Sequence, residues 1–180
     1  MRPVPPGTLA GIPLVAGGRL EGVWQRAIHA YKYRPRPQLA PMLAEPLRCA
    51  LLAAGLSPPA VAFVPLHPRR LRERGFNQAE RVAAQLAKSL GVPLLPGLTR
   101  VRATPAQVGL SQAERRLNLQ DAFRWTAAQT PPQALALVDD VCTTGATLTA
   151  ATQAVAEAGG SIGAYLVLAV AQTLPAVAVT

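Results

Sequence analysis

Residues 134–147, Ala-Leu-Ala-Leu-Val-Asp-Asp-Val-Cys-Thr-Thr-Gly-Ala-Thr, set two carboxylates and a hydroxyl-rich turn end to end. The five apolar residues that lead into them have the uninterrupted character of a strand buried in a parallel sheet covered on both faces, and they place its end at the acids. Asp139 and Asp140 are two of the three aspartates in the chain, a concentration of negative charge that a structural strand end does not require. Thr143, Thr144, Gly145, Ala146 and Thr147 then reverse the sign of the site. They supply hydroxyls and unpaired backbone N–H groups at the start of the next helix, where the helix dipole also favours an anion. Ionised aspartates accept hydrogen bonds and sugar hydroxyls donate them. Acids a few residues before an anion cradle therefore suit a ribose 5-phosphate. The alternatives are a Walker-B-like acid pair or a polar turn with an ordinary helix cap. The Gly-x-x-x-x-Gly-Lys-Ser/Thr and Gly-x-Gly-x-x-Gly nucleotide signatures are absent from the sequence.

A second stretch with chemical potential follows residues 60–64, which form a short apolar strand candidate. It reads Pro65-Leu66-His67-Pro68-Arg69-Arg70-Leu71-Arg72-Glu73-Arg74-Gly75-Phe76-Asn77-Gln78. Four arginines in six positions after a strand end create strong positive potential. Ligands of α/β sheets bind at the carboxyl ends of strands, so this loop is expected to share a crevice with Asp139 and Thr143 and to suit a pyrophosphate. His67 is a candidate acid or base near a leaving group, or a loop histidine bonded to backbone.

Helical spacing places the elements around these stretches. Leu20, Val23, Trp24, Ala27, Ile28 and Tyr31 mark one helix that stops by Arg34-Pro35. Leu39, Met42, Leu43, Leu47, Ala50 and Leu51 mark a second, with Pro41 in its first turn and a kink expected at Pro46. Residues 1–18 are expected to be a loose start with an edge strand at 12–15. A helix from Phe76 closes at Gly91, and a short strand follows at 92–95. Residues 98–111 are polar and predict a mobile flap. Ser111 and Glu114 match a capping box that opens a short helix through Leu117. Residues 121–125 predict a strand returning to the sheet. After the phosphate turn, Leu148, Ala151, Thr152 and Val155 carry a helix ended by Gly159-Gly160, and residues 162–170 form a long apolar strand. The tail after Leu174 is expected to be dispensable.

At 180 residues, with 50% hydrophobic and 15% charged residues, the chain suits one domain with a substantial core. The net charge of +9 comes from 18 basic and 9 acidic residues. Arginine dominates the basic ones, which favours phosphorylated ligands or nucleic acid. Codon usage or a hot habitat explains the arginines outside the motifs equally well. No long apolar span and no signal-peptide core occur in the sequence, so a cytoplasmic protein without a membrane segment is expected. Cys49 and Cys142 form no Cys-x-x-Cys pair, and neither a zinc ribbon nor a disulfide framework follows from them. Cys49 is expected to be a small core residue. Cys142 sits beside a helix N-terminus, where a thiol can become reactive, but the neighbouring acid pair opposes its ionisation. The basic and aromatic run 31–37 suits a nucleic-acid contact or the wall of a nucleobase pocket, with Tyr31, Tyr33 and Trp24 as its candidates. A solvated helix end has the same composition.

The order of acids and Thr-Thr-Gly-x-Thr resembles the phosphoribosyl diphosphate (PRPP) motif of type I phosphoribosyltransferases. Together with residues 64–70, Arg74-Gly75-Phe76-Asn77-Gln78, the Arg102-x-Thr104-x-x-Gln107 flap and Arg115-Arg116-x-Asn118, it resembles the ComF family of phosphoribosyltransferase-like proteins over roughly residues 20–172. The resemblance implies an α/β fold of type I phosphoribosyltransferase kind: a central, mostly parallel sheet flanked by helices, with a small N-terminal hood. It implies one domain over 1–180, with 1–55 as the helical hood segment and 60–172 as the core. It also implies transfer of a phosphoribosyl group from PRPP to a nitrogenous base with release of pyrophosphate, assisted by Mg2+. Asp139 and Asp140 are then the catalytic acids on the ribose hydroxyls, and the metal is held through the ligand with no direct protein ligand unless it is Asp139 or Asp140. Thr143, Thr144, Gly145, Ala146 and Thr147 hold the 5-phosphate; Pro65, Leu66, His67, Arg69, Arg70 and Arg74 hold the pyrophosphate; Arg102, Thr104 and Gln107 close as a flexible loop. Members of the family are associated with competence and DNA uptake, and many carry a four-cysteine zinc ribbon that this sequence lacks. Competence-machinery proteins, nucleic acid and a second copy of the chain are the macromolecular partners so implied. The alternative is a PRPP-binding or DNA-uptake accessory protein without turnover.

Overall fold

The computed structural model describes residues 6–33, 37–102, 119 and 121–171. Its central sheet begins with a hairpin of β1 (Gly7–Leu9) and β2 (Ile12–Ala16), turned through Ala10 and Gly11 at φ 51° and 79°. Two positive φ values in a two-residue turn match the twist of the flanking strands. Then come α1 (Gly22–Tyr33), a 3-10 turn (Pro37–Leu39), α2 (Ala40–Ala53), β3 (Val61–Phe63), α3 (Pro68–Arg74), α4 (Gln78–Leu90) and β4 (Leu94–Leu95). The chain continues through β5 (Leu98–Arg100), β6 (Phe123–Trp125), β7 (Leu135–Cys142), α5 (Ala146–Glu157) and β8 (Ile162–Val170).

The six-stranded sheet has the order β1-β2-β8-β7-β3-β4, and every neighbouring pair except β1 with β2 is parallel. The architecture is α/β with a mostly parallel central sheet flanked by helices, as the sequence predicts. Successive side chains of a strand point to opposite faces, and β7 shows why its apolar run is unbroken. Ala136 and Val138 enter a core with Ile28, Tyr31, Leu47, Val82 and Leu86 from α1, α2 and α4. Leu135 and Leu137 enter a second core on the other face with Leu148, Ala151 and Val155 of α5. Each fully buried leucine contributes about 1.5–3 kcal/mol, so both faces hold β7 firmly.

The chain connection sets the site. From β3 the chain runs through α3 and α4 to β4 on one side; from β7 it runs through α5 to β8 on the other. Between β3 and β7 the winding therefore reverses, and in open α/β sheets ligands bind in the crevice beyond the carboxyl ends of the strands at such a reversal.

Several expectations are corrected. The N-terminal segment is not loose from residue 6 onward: β2 is an interior strand, paired with β8 through Leu14↔Tyr165 and Ala16↔Val167. The strand expected at 121–125 is β6, and it pairs antiparallel with β5 in a separate two-stranded ribbon rather than returning to the central sheet. Residues 98–100 of the expected flap are thus a strand, braced by Thr99 Oγ1 to Thr126 Oγ1 at 2.7 Å. The first helix begins at Gly22, because Arg19 and Leu20 still run beside the end of β8, Arg19 bridging Val170 and Leu20 N–H donating to Val170 O at 2.8 Å. Val23 (72% exposed) and Met42 (71%) lie outside the buried stripes. Cys49 is exposed as well, its thiol 3.5 Å from Glu45 Oε1, since the stripe of α2 runs through Ala40, Leu43, Ala44, Leu47 and Leu51 on the opposite side. The helix expected before Leu117 and the tail after Leu174 lie outside the described residues.

Candidate functional site

The site is made where β3 and β7 part. Along the paired region Ala136 N–H donates to Ala60 O and Val64 N–H to Val138 O. Continued by two residues, the same ladder would join Asp140 N–H to Val64 O. Instead Asn77 Nδ2 takes Val64 O at 3.0 Å, and the Asp139 carboxylate takes Asp140 N–H at 2.7 Å. Buried backbone groups need partners, and here two side chains supply them, so the strands separate without an orphaned group. Asn77 does this as the N-cap of α4, where its Oδ1 also accepts from Ala79 N–H at 3.0 Å. Beside it Gln78 is buried, accepting from Arg74 Nη1 at 3.1 Å and donating to Lys32 O at 3.5 Å.

β7 does not end at the acids. It continues to Cys142, with Asp139 opposite Val167 and Cys142 opposite Val170 of β8, because β8 remains apolar and extended far enough to pair with it. Asp139 and Asp140 are consequently half-buried strand residues on opposite faces. Asp140 shares the face of Ala136 and Val138, where α1 brings Lys32 Nζ to 3.0 Å from Asp140 Oδ2. Asp139 shares the face of Leu135 and Leu137, toward the ribbon, whose Arg100 acts on it electrostatically. Burial raises the Asp139 pKa well above the ordinary carboxylate range, and the Asp140 charge raises it further; the Asp140 N–H, Lys32 and Arg100 work against the rise. Arg100 lies over the Phe123 ring at 5.5 Å. Burial and then the charge of Arg70 lower its pKa, while Asp139 raises it. Arg100 thus stands between a second guanidinium and an acid in its electrostatic surroundings.

The hydroxyl-rich turn follows directly. Thr143 follows Asp140 by three residue steps, which bounds their separation at about 10–11 Å of extended chain. Thr143 is exposed, and Thr144 and Thr147 are half-buried. Gly145 caps α5 at φ 78°, and a Cβ there would lie 2.5 Å from Leu9 Cδ2 of β1. The turn is open on the threonine side and closed on the Leu9 side. Not all of its N–H groups are unpaired as expected: Ala146 N–H reaches Thr144 Oγ1 at 3.5 Å, and Gly145 N–H donates to the Cys142 thiol. Cys142 is buried, and burial and the Asp139 charge push its pKa up to about 12, in the direction expected from the neighbouring acids.

Val64 pairs beside Val138, so the half-buried Pro65, Leu66 and His67 leave the sheet next to the acids. Residues 68–74 then form α3 rather than a loop. His67 is its N-cap, with Nδ1 accepting Arg69 N–H at 3.2 Å, which is the structural role weighed for it. Arg69 turns outward to Glu73 at 3.2 Å, an exposed i,i+4 pair, whereas Arg70 is half-buried and close enough to act on Arg100. Arg74 is tied to Gln78. Tyr31 and Trp24 belong to the fold: Tyr31 is fully buried edge-on to Phe76, and Trp24 Nε1 donates to Leu168 O at 2.7 Å. Arg102 is exposed at the end of the ribbon, and Thr104 and Gln107 lie outside the described residues. Sequence patterns missed Lys32 and Arg100. Period-two alternation, which sends neighbouring acids to opposite faces, was the available signal that each needs a partner from a different element.

A cavity of about 690 Å³ lined by Pro59, Pro93, Trp125 and Pro132 opens at the amino-terminal ends of β3 and β4, away from the acids and without a charged side chain. Among the described residues no group of three His, Cys, Asp or Glu side chains is placed to hold a metal ion, and no helix is long and apolar enough to cross a membrane.

No family model matches the chain. Competence protein F of Haemophilus influenzae is 44% identical over 94 residues, 51% of this chain and 41% of that protein. The DNA utilization protein YhgH of Salmonella typhimurium is 40% identical over 129 residues, 67% of this chain and 56% of that protein. YhgH of Escherichia coli K12 is 37% identical over the same shares. The chain spans about half the length of these relatives. Over as much as two thirds of its own length, then, the chain is similar to competence protein F and to the DNA utilization protein YhgH.

Proposed function

We propose that the chain is a ComF-family protein of the type I phosphoribosyltransferase superfamily, that it binds PRPP with magnesium, and that it transfers the phosphoribosyl group to a nitrogenous base. The observation that carries this reading is the parting of β3 and β7 at the winding reversal, with two acids and the Thr143–Thr147 turn on one edge of the crevice and the Arg70 segment on the other. The turn at the N-terminus of α5 suits the 5-phosphate. As the bond from C1 to the diphosphate oxygen loosens, positive charge builds on the ribose and negative charge on the leaving group, so opposite fields must stand close together. Asp139 and Asp140 supply one field; Arg70, Arg74 and Arg100 supply the other. The segment with Arg102, Thr104 and Gln107 would close to exclude water. Magnesium neutralises charge on the diphosphate. With two carboxylates and, among the described residues, no third ligand grouped with them, the chain suits an ion that arrives on its ligand and keeps most of its waters, touching Asp139 or Asp140.

By the names of its relatives, the chain has a role in competence or DNA uptake, acting in the cytoplasm alone or as a homodimer. Pyrophosphate release from PRPP in the presence of purine, pyrimidine and pyridine bases tests turnover. Release with one class of base is expected; binding of PRPP with no release for any base makes the protein a sensor or accessory factor instead.

A second reading is favoured by α3. It carries four arginines and buries no residue, an arrangement suited to a polyanion. If single-stranded DNA binds there through all four, affinity falls with salt at a logarithmic slope of about −3.

A further inference from the structure

The acid site holds a cation of its own before any ligand arrives. Lys32 Nζ lies 3.0 Å from Asp140 Oδ2, with 21% and 17% of the two side chains exposed. This is unlike the solvent-facing pair of Arg69 and Glu73, whose exposures are 78% and 59%. The backbone at Lys32 is fixed independently of its charge, since its carbonyl accepts from the buried Gln78. The side chain is therefore delivered to Asp140 by α1 and α4 together.

We propose that Lys32 is a specificity residue that makes the site select a ribose carrying a diphosphate at C1 over one with a free C1 hydroxyl; the inference rests on the PRPP reading above. A ribose hydroxyl that donates to Asp140 Oδ2 competes with Lys32 for that oxygen. With ribose 5-phosphate, the displaced ammonium gives up its direct ion pair in a half-buried position and keeps only its longer-range interaction with Asp139, which is costly. With PRPP, the diphosphate on C1 is next to the C2 hydroxyl, and the lysine would exchange the carboxylate for a phosphate oxygen. The exchange conserves an ion pair for the second ligand and loses one for the first. Discrimination of this kind comes from a penalty on the wrong ligand as much as from a contact with the right one. Lys32 and Arg100 both act on Asp139, but Lys32 is the cation in direct contact with Asp140.

The test is calorimetric titration of wild type, Lys32→Gln and Lys32→Arg with PRPP and magnesium and, separately, with ribose 5-phosphate. Lys32→Gln is expected to lower the ratio of PRPP to ribose 5-phosphate affinity by about tenfold or more, with ribose 5-phosphate binding unchanged or tighter. Lys32→Arg keeps the charge and is expected to restore the ratio, which a purely structural role would not require. An unchanged ratio in Lys32→Gln, whether both affinities hold or both fall together, overturns the inference while leaving the PRPP reading in place. Wild-type protein that binds neither ligand removes that reading and the inference with it.

Discussion

Two strand-to-helix junctions face each other across the crevice, and they are built on opposite principles. After β7 the chain turns through Gly145 into α5, which buries Ala146, Leu148, Ala151, Ala154 and Val155. After β3 it turns through His67 into α3, which buries nothing and is fixed by caps at its two ends, His67 and the left-handed Gly75. One junction is held by packing and the other by local hydrogen bonds. The difference matches the two halves of the proposed ligand. The 5-phosphate stays on the sugar through the reaction and needs a fixed cradle, whereas the diphosphate must be gripped and then let go. Local opening is easiest where few apolar contacts are made, and that is the arginine-bearing side.

This contrast can be broken by truncating one leucine on each helix. Leu148→Ala empties a fully buried site and is expected to destabilise the protein by about 2–5 kcal/mol in denaturant unfolding. Leu71→Ala on α3, already 39% exposed, should stay within about 0.5 kcal/mol. Equal losses would mean that α3 is packed as firmly as α5. A smaller effect sharpens the cradle itself. Gly145→Ala places a side chain at φ 78° against Leu9 and should cost about 1–2 kcal/mol. It should weaken ribose 5-phosphate binding, which reads the turn without the diphosphate.

The acids give the pH signature of the fixed side. Because Asp139 titrates higher in the folded chain than in the unfolded one, the folded state holds its proton more tightly. Its contribution is complete below the unfolded value of about 3.9 and is lost as pH rises through the folded value toward neutrality. Thermal midpoints of wild type should therefore fall across that window relative to Asp139→Asn. Parallel curves for the two proteins would show that Asp139 is solvated.

What the sequence disclosed follows from how each part is stabilised. β7, α4, α5 and β8 were legible because long apolar runs and helical periodicity leave little choice of partner, and β8 spans residues 162–170 as expected. The hairpin of β1 and β2 was obscured by proline and glycine, and the β5–β6 ribbon by three-residue strands that each carry an arginine. Within the site, Asp139, Asp140 and the Thr143–Thr147 turn are contiguous, so spacing alone brought them together. Lys32 and Arg100 arrive from distant elements on opposite faces, and no local pattern joins them to the acids. α3 was taken for a loop because its arginines outnumber its apolar residues, yet two caps suffice to hold one short helix.

The central claim is that Asp139, Asp140 and the turn at 143–147 grip one sugar phosphate. Calorimetry of PRPP with magnesium on wild type and on the Asp139→Asn, Asp140→Asn double variant tests it most directly. The account predicts one site per chain in wild type and a loss of about 100-fold or more in the double variant, equivalent to about 2.7 kcal/mol. Equal binding by the two proteins, or none by wild type, would contradict it.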